Sequence, residues 1–101
     1  MIARLFETIE SRRTADPAES HVASLFKAGT AEIAKKMGEE ALETTIAALG
    51  GEREKITHES ADLLFHLMVL WADAGLTPDD IYAELARREG VSGIAEKKSR
   101  A

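Results

Sequence analysis

The sequence predicts an all-α protein of about five helices, in which two long central helices form the core of a helical bundle. Apolar residues recur at helical spacing, glycine and proline interrupt the pattern at a few places, and no segment alternates as a strand does. A chain of 101 residues buries only a modest core by itself. We predict one domain over residues 1–89 and a loosely ordered, polar tail over residues 90–101.

The outer helices are predicted from apolar spacing and from residues typical of helix ends. The first helix shows apolar residues on one face, namely Ile2, Leu5, Phe6 and Ile9. The segment 14–17 ends it, because it contains a proline. Ser20 is expected to cap a short second helix that ends at Gly29. Thr77, followed by proline, is expected to begin a last helix that continues to about Glu89.

Two long helices are predicted between these outer segments. Thr30 is expected to cap the first, which is rich in good helix formers as far as Gly50. The second is predicted from about Glu52 to Gly75, since neither proline nor glycine falls between these positions. Its circumference is apolar except for one narrow sector, whereas a surface helix is usually apolar on one stripe only. We therefore predict that a second copy of the chain covers it, giving a homodimer.

Each long helix has one sector in which charged residues cluster when residues are placed about 100° apart around the axis. On the first long helix the acidic sector consists of Lys36, Glu39, Glu40 and Glu43. On the second it consists of Lys55, Glu59, Asp62, His66 and Asp73. If the two sectors face each other, several carboxylates converge.

Such convergence is unfavourable unless a cation compensates it, because like charges repel and each desolvated carboxylate loses its hydration. Carboxylate oxygens are the ligands that Mg²⁺ and Mn²⁺ prefer, and Mg²⁺ often completes its shell with phosphate oxygens of a substrate. The pattern therefore predicts a site for a metal–phosphate complex. The alternative interpretation, two solvated helix faces with ordinary Glu/Lys spacing, stays open at this point.

The composition excludes several kinds of function. Cysteine is absent, which rules out disulfides, thiolate metal sites and cysteine nucleophiles. A net charge of -5 gives no positive field for a polyanion, so we expect a small-molecule partner and no nucleic acid. The N-terminus lacks the apolar core of a signal peptide, and no apolar run approaches the roughly 20 residues that span a bilayer. We expect a cytoplasmic protein with no membrane association.

Two segments carry a resemblance to a known superfamily. Residues 35–43 (Lys-Lys-Met-Gly-Glu-Glu-Ala-Leu-Glu) and residues 59–70 (Glu-Ser-Ala-Asp-Leu-Leu-Phe-His-Leu-Met-Val-Leu) closely resemble the paired EExxE and ExxD motifs of the MazG-like all-α nucleotide pyrophosphohydrolases. Within that superfamily the chain is most similar to the phosphoribosyl-ATP pyrophosphohydrolase family of histidine biosynthesis. Further matches lie in residues 20–29, 85–88 and 92–98, so the resemblance covers nearly the whole chain.

The resemblance implies Mg²⁺-dependent hydrolysis of phosphoribosyl-ATP to phosphoribosyl-AMP and pyrophosphate, with Mn²⁺ as a substitute ion. The metal ligands that it implies are Glu40, Glu43, Glu59 and Asp62. Glu39 is then expected to be a supporting group or the base that orients water. The chain departs from the family at His21 and Phe65, where relatives usually carry tyrosine, and at Glu32, where they often carry a basic residue. Two other functions stay open: hydrolysis of another nucleoside triphosphate, and a non-catalytic dimerisation module.

Three residues near the motifs are candidates for phosphate binding. Lys35 and Lys36 immediately precede the acidic residues, and Lys36 falls within the acidic sector, although it also has the spacing of a surface ion pair with Glu40. His66 follows Asp62 by one turn and binds a phosphate, orients a carboxylate, or is a satisfied polar residue at a helix interface.

Overall fold

The structure, a computed structural model, describes residues 1–89 as five α-helices. They are α1 (Ile2–Ser11), α2 (His21–Ala28), α3 (Thr30–Gly50), α4 (Arg53–Asp73) and α5 (Pro78–Arg88). No strand occurs in residues 1–89, and the all-α prediction is confirmed. The predicted tail lies outside the described residues, so the division at residue 89 stays a prediction. Within this part of the chain, no helix is long and apolar enough to cross a bilayer.

Most helix ends follow from the local sequence. The hydroxyl of Ser20 accepts a hydrogen bond from the backbone N–H of Ala23 at 3.1 Å, which caps α2 as predicted. Gly29 ends α2 with φ at 98°, a conformation that glycine adopts without a Cβ penalty. At the start of α5, the backbone N–H of Thr77 donates to the carboxylate of Asp80 at 2.9 Å.

Thr30 does not cap α3, so that prediction was wrong. Gly29 holds the N-cap position, and Thr30 is the first residue of the helix. The hydroxyl of Thr30 donates instead to Oδ2 of Asp73, the last residue of α4, at 2.6 Å. An ionised carboxylate is a stronger acceptor than a neutral group. The Thr30 hydroxyl therefore joins α3 to α4 instead of capping its own helix.

α3 and α4 form an antiparallel pair joined by a short turn, in which Gly51 has a left-handed φ of 73°. Besides the contact between Thr30 and Asp73, the hydroxyl of Thr44 lies 3.1 Å from the carbonyl oxygen of Glu59. Thr30 and Thr44 are fourteen residues apart, and so are Glu59 and Asp73. The two contacts are therefore separated by about four helical turns on both helices and share one register.

The core lies where α1, α2 and the second half of α4 meet the start of α3. The buried apolar side chains of this core are Phe6, Ile9, Leu25, Ile33, Met68, Val69 and Ala72. Trp71 packs against them and is half-buried. Each of the large side chains contributes about 1.5–3 kcal/mol through burial. These contacts place the second half of α4 in the interior.

Arg13, just after α1, connects three helices. Its Nη1 donates to the carbonyl oxygen of Ala72 near the end of α4 at 2.8 Å. Its guanidinium carbon also lies 4.6 Å from the centre of the Phe26 ring in α2. Arg13 therefore satisfies a carbonyl near the end of a helix and packs on an aromatic face at the same time.

The other end of the α3–α4 pair is not covered by the remaining helices. Its large apolar side chains are exposed, with Leu42 at 61%, Ile46 at 59% and Leu49 at 84% of full accessibility. Leu64 of α4 is exposed at 39%. Leu42, Ile46 and Leu49 follow each other by four and three residues and so share one face of α3, and an exposed apolar row of this kind is typical of an interaction site rather than of a solvated helix face.

Candidate metal centre

The structure brings four carboxylates of the two acidic sectors together, which we call the carboxylate cluster: Glu40, Glu43, Glu59 and Asp62. Glu40, Glu43 and Glu59 each have an oxygen atom within 4.8 Å of the others. Glu59 and Asp62 form a second group with His58 within the same limit. α3 contributes two of the four residues and α4 the other two, so neither helix builds the cluster alone.

Two oxygen atoms of the cluster are buried without a hydrogen-bond partner in residues 1–89. They are Oε2 of Glu40 and Oε2 of Glu59, one from each helix. A buried carboxylate oxygen without a partner is costly, and a hard divalent cation is a partner that such oxygens bind well. The residues present therefore fit a cation with oxygen ligands.

Burial and crowding change the acidity of both residues. Desolvation raises the pKa of Glu40 above 4.5, and the charge of Glu43 raises it further, while His66 opposes the shift. The pKa of Glu59 is also raised, first by desolvation and then by the neighbouring Glu43 carboxyl group, with His58 opposing. The ionised cluster is thus less favourable in the folded chain than in water. A bound cation would reverse this preference.

Thr44 fixes how the two helices are aligned at the cluster. Its hydroxyl lies 2.8 Å from the carbonyl oxygen of Glu40 and 3.1 Å from that of Glu59. Because Thr44 follows Glu43 directly, this contact lies among the acidic side chains themselves. Sequence reasoning did not single out Thr44, although a threonine in a helix interior, where its propensity is low, could have indicated a specific contact.

All three histidines of the chain lie beside the cluster or against a residue that does. Nε2 of His58 is 3.2 Å from Oδ2 of Asp62. Nδ1 of His66 is 2.9 Å from the carbonyl oxygen of Asp62, so Nδ1 carries the hydrogen and donates it. His21, from α2, packs edge-on against His66 with ring centres 6.2 Å apart. His58 was not among the predicted site residues, although its spacing of four from Asp62 indicates that the two side chains can meet on one helix face.

The other predicted site residues lie outside the cluster. Lys36 has its Nζ 3.5 Å from Oε2 of Glu39, so it pairs with Glu39 and not with Glu40. The Glu39 side chain is 45% exposed, and Lys35 is exposed. Asp73 shares the acidic sector of α4 but lies at the far end of the helix, against the first residue of α3.

A cleft of about 290 Å³ opens beside the cluster and is lined by Glu43, Ile46, Ala47, Lys55 and Glu59. Its volume is at the lower limit of ligand pockets and suits part of a nucleotide. A larger cleft, of about 460 Å³, lies along α5 and is lined by Tyr82, Leu85, Ala86, Arg88 and Glu89. None of the predicted site residues faces that larger cleft, so the smaller one is the candidate site.

The sequence of the chain matches known proteins over almost its full length. A profile of the family described as phosphoribosyl-ATP pyrophosphohydrolase matches residues 2–89. The chain is 56% identical over 100 residues to the phosphoribosyl-ATP pyrophosphatase of Azospirillum brasilense, covering 99% of this chain and 90% of that protein. It is 59% identical over 97 residues to the protein of the same name from Rhizorhabdus wittichii, covering 96% and 92%.

An all-α chain with these relatives, and with carboxylates of two central helices gathered beside a cleft, is a hydrolase of the all-α pyrophosphohydrolase class. More specifically, the chain belongs to the phosphoribosyl-ATP pyrophosphohydrolase family. The resemblance seen in the paired acidic motifs is confirmed. The interpretation of the chain as a non-catalytic dimerisation module is set aside.

Proposed function

We propose that this chain hydrolyses phosphoribosyl-ATP to phosphoribosyl-AMP and pyrophosphate in histidine biosynthesis. The observation that supports this activity best is the carboxylate cluster, in a chain that shares its whole length with proteins named for this substrate. Two of its oxygens, on Glu40 and Glu59, lack a partner in residues 1–89. The proposed location is the cytoplasm, as expected from the sequence.

The proposed cofactor is Mg²⁺, with Mn²⁺ as a substitute, held by Glu40, Glu43, Glu59 and Asp62. The short distances among the first three support this set, and Asp62 follows Glu59 by about one helical turn. A bound Mg²⁺ neutralises charge on phosphate oxygens and lowers the pKa of a bound water. With a net charge of -5 the chain has no overall positive field for a polyphosphate substrate, and a cation would supply positive charge at the site.

Glu39 is the proposed base. The oxygen of water attacks one phosphorus of the anhydride between the α and β phosphates, the bond to the leaving phosphate oxygen breaks, and the water proton passes to the base. Glu39 suits this role because its carboxylate is half-exposed and precedes Glu40 in the chain. No covalent intermediate on the protein is required.

The proposed phosphate contacts are Lys35, Lys36 and His66. Lys36 lies 3.5 Å from Glu39, close enough for its ammonium group to exchange a carboxylate for a phosphate oxygen. In the imidazolium form, Nε2 of His66 would donate to a phosphate oxygen while Nδ1 keeps its bond to the backbone carbonyl of Asp62. Lys35 is exposed next to Lys36 and adds positive charge to the rim.

A second copy of the chain is the proposed partner. The exposed side chains of Leu42, Ile46 and Leu49 form an apolar surface at one end of the α3–α4 pair. Ile46 also lines the candidate cleft, so a partner subunit on this surface would border the site. Burying such side chains on both copies gives a favourable hydrophobic contribution to association.

The test is release of pyrophosphate from phosphoribosyl-ATP by purified protein and Mg²⁺. Glu40→Gln and Asp62→Asn are expected to abolish release while the helical content stays unchanged. Glu54→Gln, on an exposed glutamate of α4 outside the cluster, is the matched control and should retain activity. If the wild-type chain does not hydrolyse phosphoribosyl-ATP but hydrolyses dUTP, the proposed substrate is wrong and the chain acts on another nucleoside triphosphate.

A further inference from the structure

We propose that His21 of α2 donates a hydrogen bond to a phosphate group of the substrate, and that His66 positions the His21 ring for this contact. The observation behind it is the juxtaposition of the two rings, whose centres are 6.2 Å apart and whose planes meet at 69°. The inference rests on the proposed function, because it requires a phosphate-bearing substrate. It adds a substrate contact from α2, a helix that contributes no residue to the carboxylate cluster.

His66 is fixed relative to the cluster. Its Nδ1 donates to the carbonyl oxygen of Asp62 at 2.9 Å, within the same helix. A histidine ring held in this way keeps one orientation, because the second nitrogen is then directed away from the bonded one. The edge-on contact with His66 transmits this orientation to His21 across the gap between α4 and α2.

His21 itself is exposed and has hydrogen-bonding capacity to spare. Within residues 1–89, neither of its ring nitrogens forms a hydrogen bond or an ion pair. A neutral imidazole always carries one N–H donor, so this ring can bind a phosphate oxygen without first gaining a proton. His21 is thus an oriented donor without a partner in the described part of the chain, and it is connected to Asp62 through His66.

The need for such a donor follows from the charges around the site. Without substrate, Lys36 is paired with Glu39 at 3.5 Å and Lys55 with Glu52 at 3.6 Å, so each of these lysines shares its positive charge with a carboxylate, and Lys36 contacts a phosphate only by exchanging Glu39 for it. The substrate carries two separate anionic groups, a triphosphate and a ribose 5-phosphate. A cation in the carboxylate cluster neutralises charge on one of them, and the other requires donors from outside the cluster.

The test compares three substitutions of His21 by steady-state kinetics with Mg²⁺ and phosphoribosyl-ATP. His21→Phe keeps an aromatic ring against His66 but removes the donor, and it is expected to raise KM about tenfold with little change in kcat. His21→Gln restores a donor and should recover part of the affinity, whereas His21→Ala removes ring and donor together. Lys27→Ala, an exposed cation of the same helix, is the control for a general loss of polar surface and should leave KM unchanged.

Inhibition constants identify which phosphate is bound. If His21→Phe weakens inhibition by phosphoribosyl-AMP but not by AMP or pyrophosphate, His21 binds the ribose 5-phosphate. If it weakens inhibition by pyrophosphate, His21 binds the triphosphate. An unchanged KM in an active His21→Phe variant, or a fall in kcat alone, would overturn the inference and leave the proposed function intact. Failure of the wild-type chain to hydrolyse phosphoribosyl-ATP would overturn both.

Discussion

The hydroxyl of Thr44 lies between the backbone carbonyl oxygens of Glu40 and Glu59, at 2.8 and 3.1 Å. One side chain of α3 thus contacts the backbone of a proposed metal ligand in each helix. This contact fixes the axial alignment of α3 and α4 at the point where their carboxylates meet. Several consequences of this and neighbouring contacts can be measured.

Thr44→Val keeps the shape of the side chain and removes its hydroxyl. The free energy of unfolding is expected to fall by about 1 kcal/mol, the usual contribution of one hydrogen bond, and Mg²⁺ should bind more weakly. Urea denaturation and Mg²⁺ titration measure the two effects. Thr45→Val is the matched control, because within residues 1–89 the Thr45 hydroxyl bonds only to the Ala41 carbonyl of its own helix. Equal loss of Mg²⁺ affinity in both variants would contradict the role given to Thr44.

Glu40→Gln should stabilise the chain in the absence of metal at neutral pH. The pKa of Glu40 in the folded state is raised above 4.5, chiefly by desolvation, so the folded chain binds its proton more tightly than the unfolded chain does. Between 4.5 and that raised pKa, stability therefore falls as pH increases. Glutamine does not ionise, so the variant does not lose this part of its stability as the pH rises. The advantage of the variant should disappear below pH 4.5, where the wild-type carboxyl is protonated in both states.

Thermal melts in EDTA across this pH range measure the stability of Glu40→Gln relative to the wild type. Glu84→Gln is the control, because its expected effect on the melting temperature at neutral pH is the opposite. Arg87 and Arg88 lower the pKa of Glu84 to about 2, so its contribution is present above 4.5 and is lost as pH falls towards 2. Removing Glu84 should therefore lower the melting temperature slightly at neutral pH. A Glu40→Gln variant that melts below the wild type in EDTA at neutral pH would contradict the account of the cluster.

Mg²⁺ should raise the melting temperature of the wild-type chain, because an ion that binds only the folded state stabilises that state. At a free concentration of about 100 times its Kd, the gain is about 2.7 kcal/mol. Differential scanning calorimetry with Mg²⁺, Mn²⁺ and EDTA measures it. The gain should vanish in Asp62→Asn and persist in Glu54→Gln, and a gain of equal size in both would place the ion elsewhere.

Arg13→Ala should lower the free energy of unfolding by about 1–3 kcal/mol. The substitution removes a hydrogen bond from a charged donor to the Ala72 carbonyl and the packing of the guanidinium on Phe26. Arg12→Ala provides the comparison, because both arginines are exposed but, within residues 1–89, the side chain of Arg13 and not that of Arg12 bonds to another helix. Loss of Arg12 should change stability by about 0.5 kcal/mol or less. Chemical denaturation of the two variants measures the difference, and similar losses in both would refute the role of Arg13.

Ile46→Glu should convert the proposed homodimer to a monomer, because it places a charge on the exposed apolar surface of α3. Sedimentation equilibrium over a range of protein concentrations measures this. Leu85→Glu is the matched control, since Leu85 is exposed at 60%, close to the 59% of Ile46, but lies on α5. A wild-type chain that stays monomeric at high concentration would exclude the dimer.

Periodicity predicted which side chains share a helix face, and local chemistry predicted most helix ends. Glu40, Glu43 and Glu59 meet because antiparallel helices present these faces to each other. Periodicity gives only the angle around an axis, however, and not the height along it. Asp73 has the angle of Glu59 but lies fourteen residues, or about 21 Å, further along α4. Its partner Thr30 is 43 residues away in the chain, so no local rule identifies that contact.

The equal separation of the two threonine contacts restricts how the lengths of α3 and α4 can change. An inserted residue between Thr30 and Thr44 would turn the following side chains by about 100° and move them about 1.5 Å along the axis. Either the contact to Asp73 or the contact to Glu59 would then be lost. Natural insertions and deletions in this pair should therefore be confined to the turn around Gly51, or occur in both helices at once.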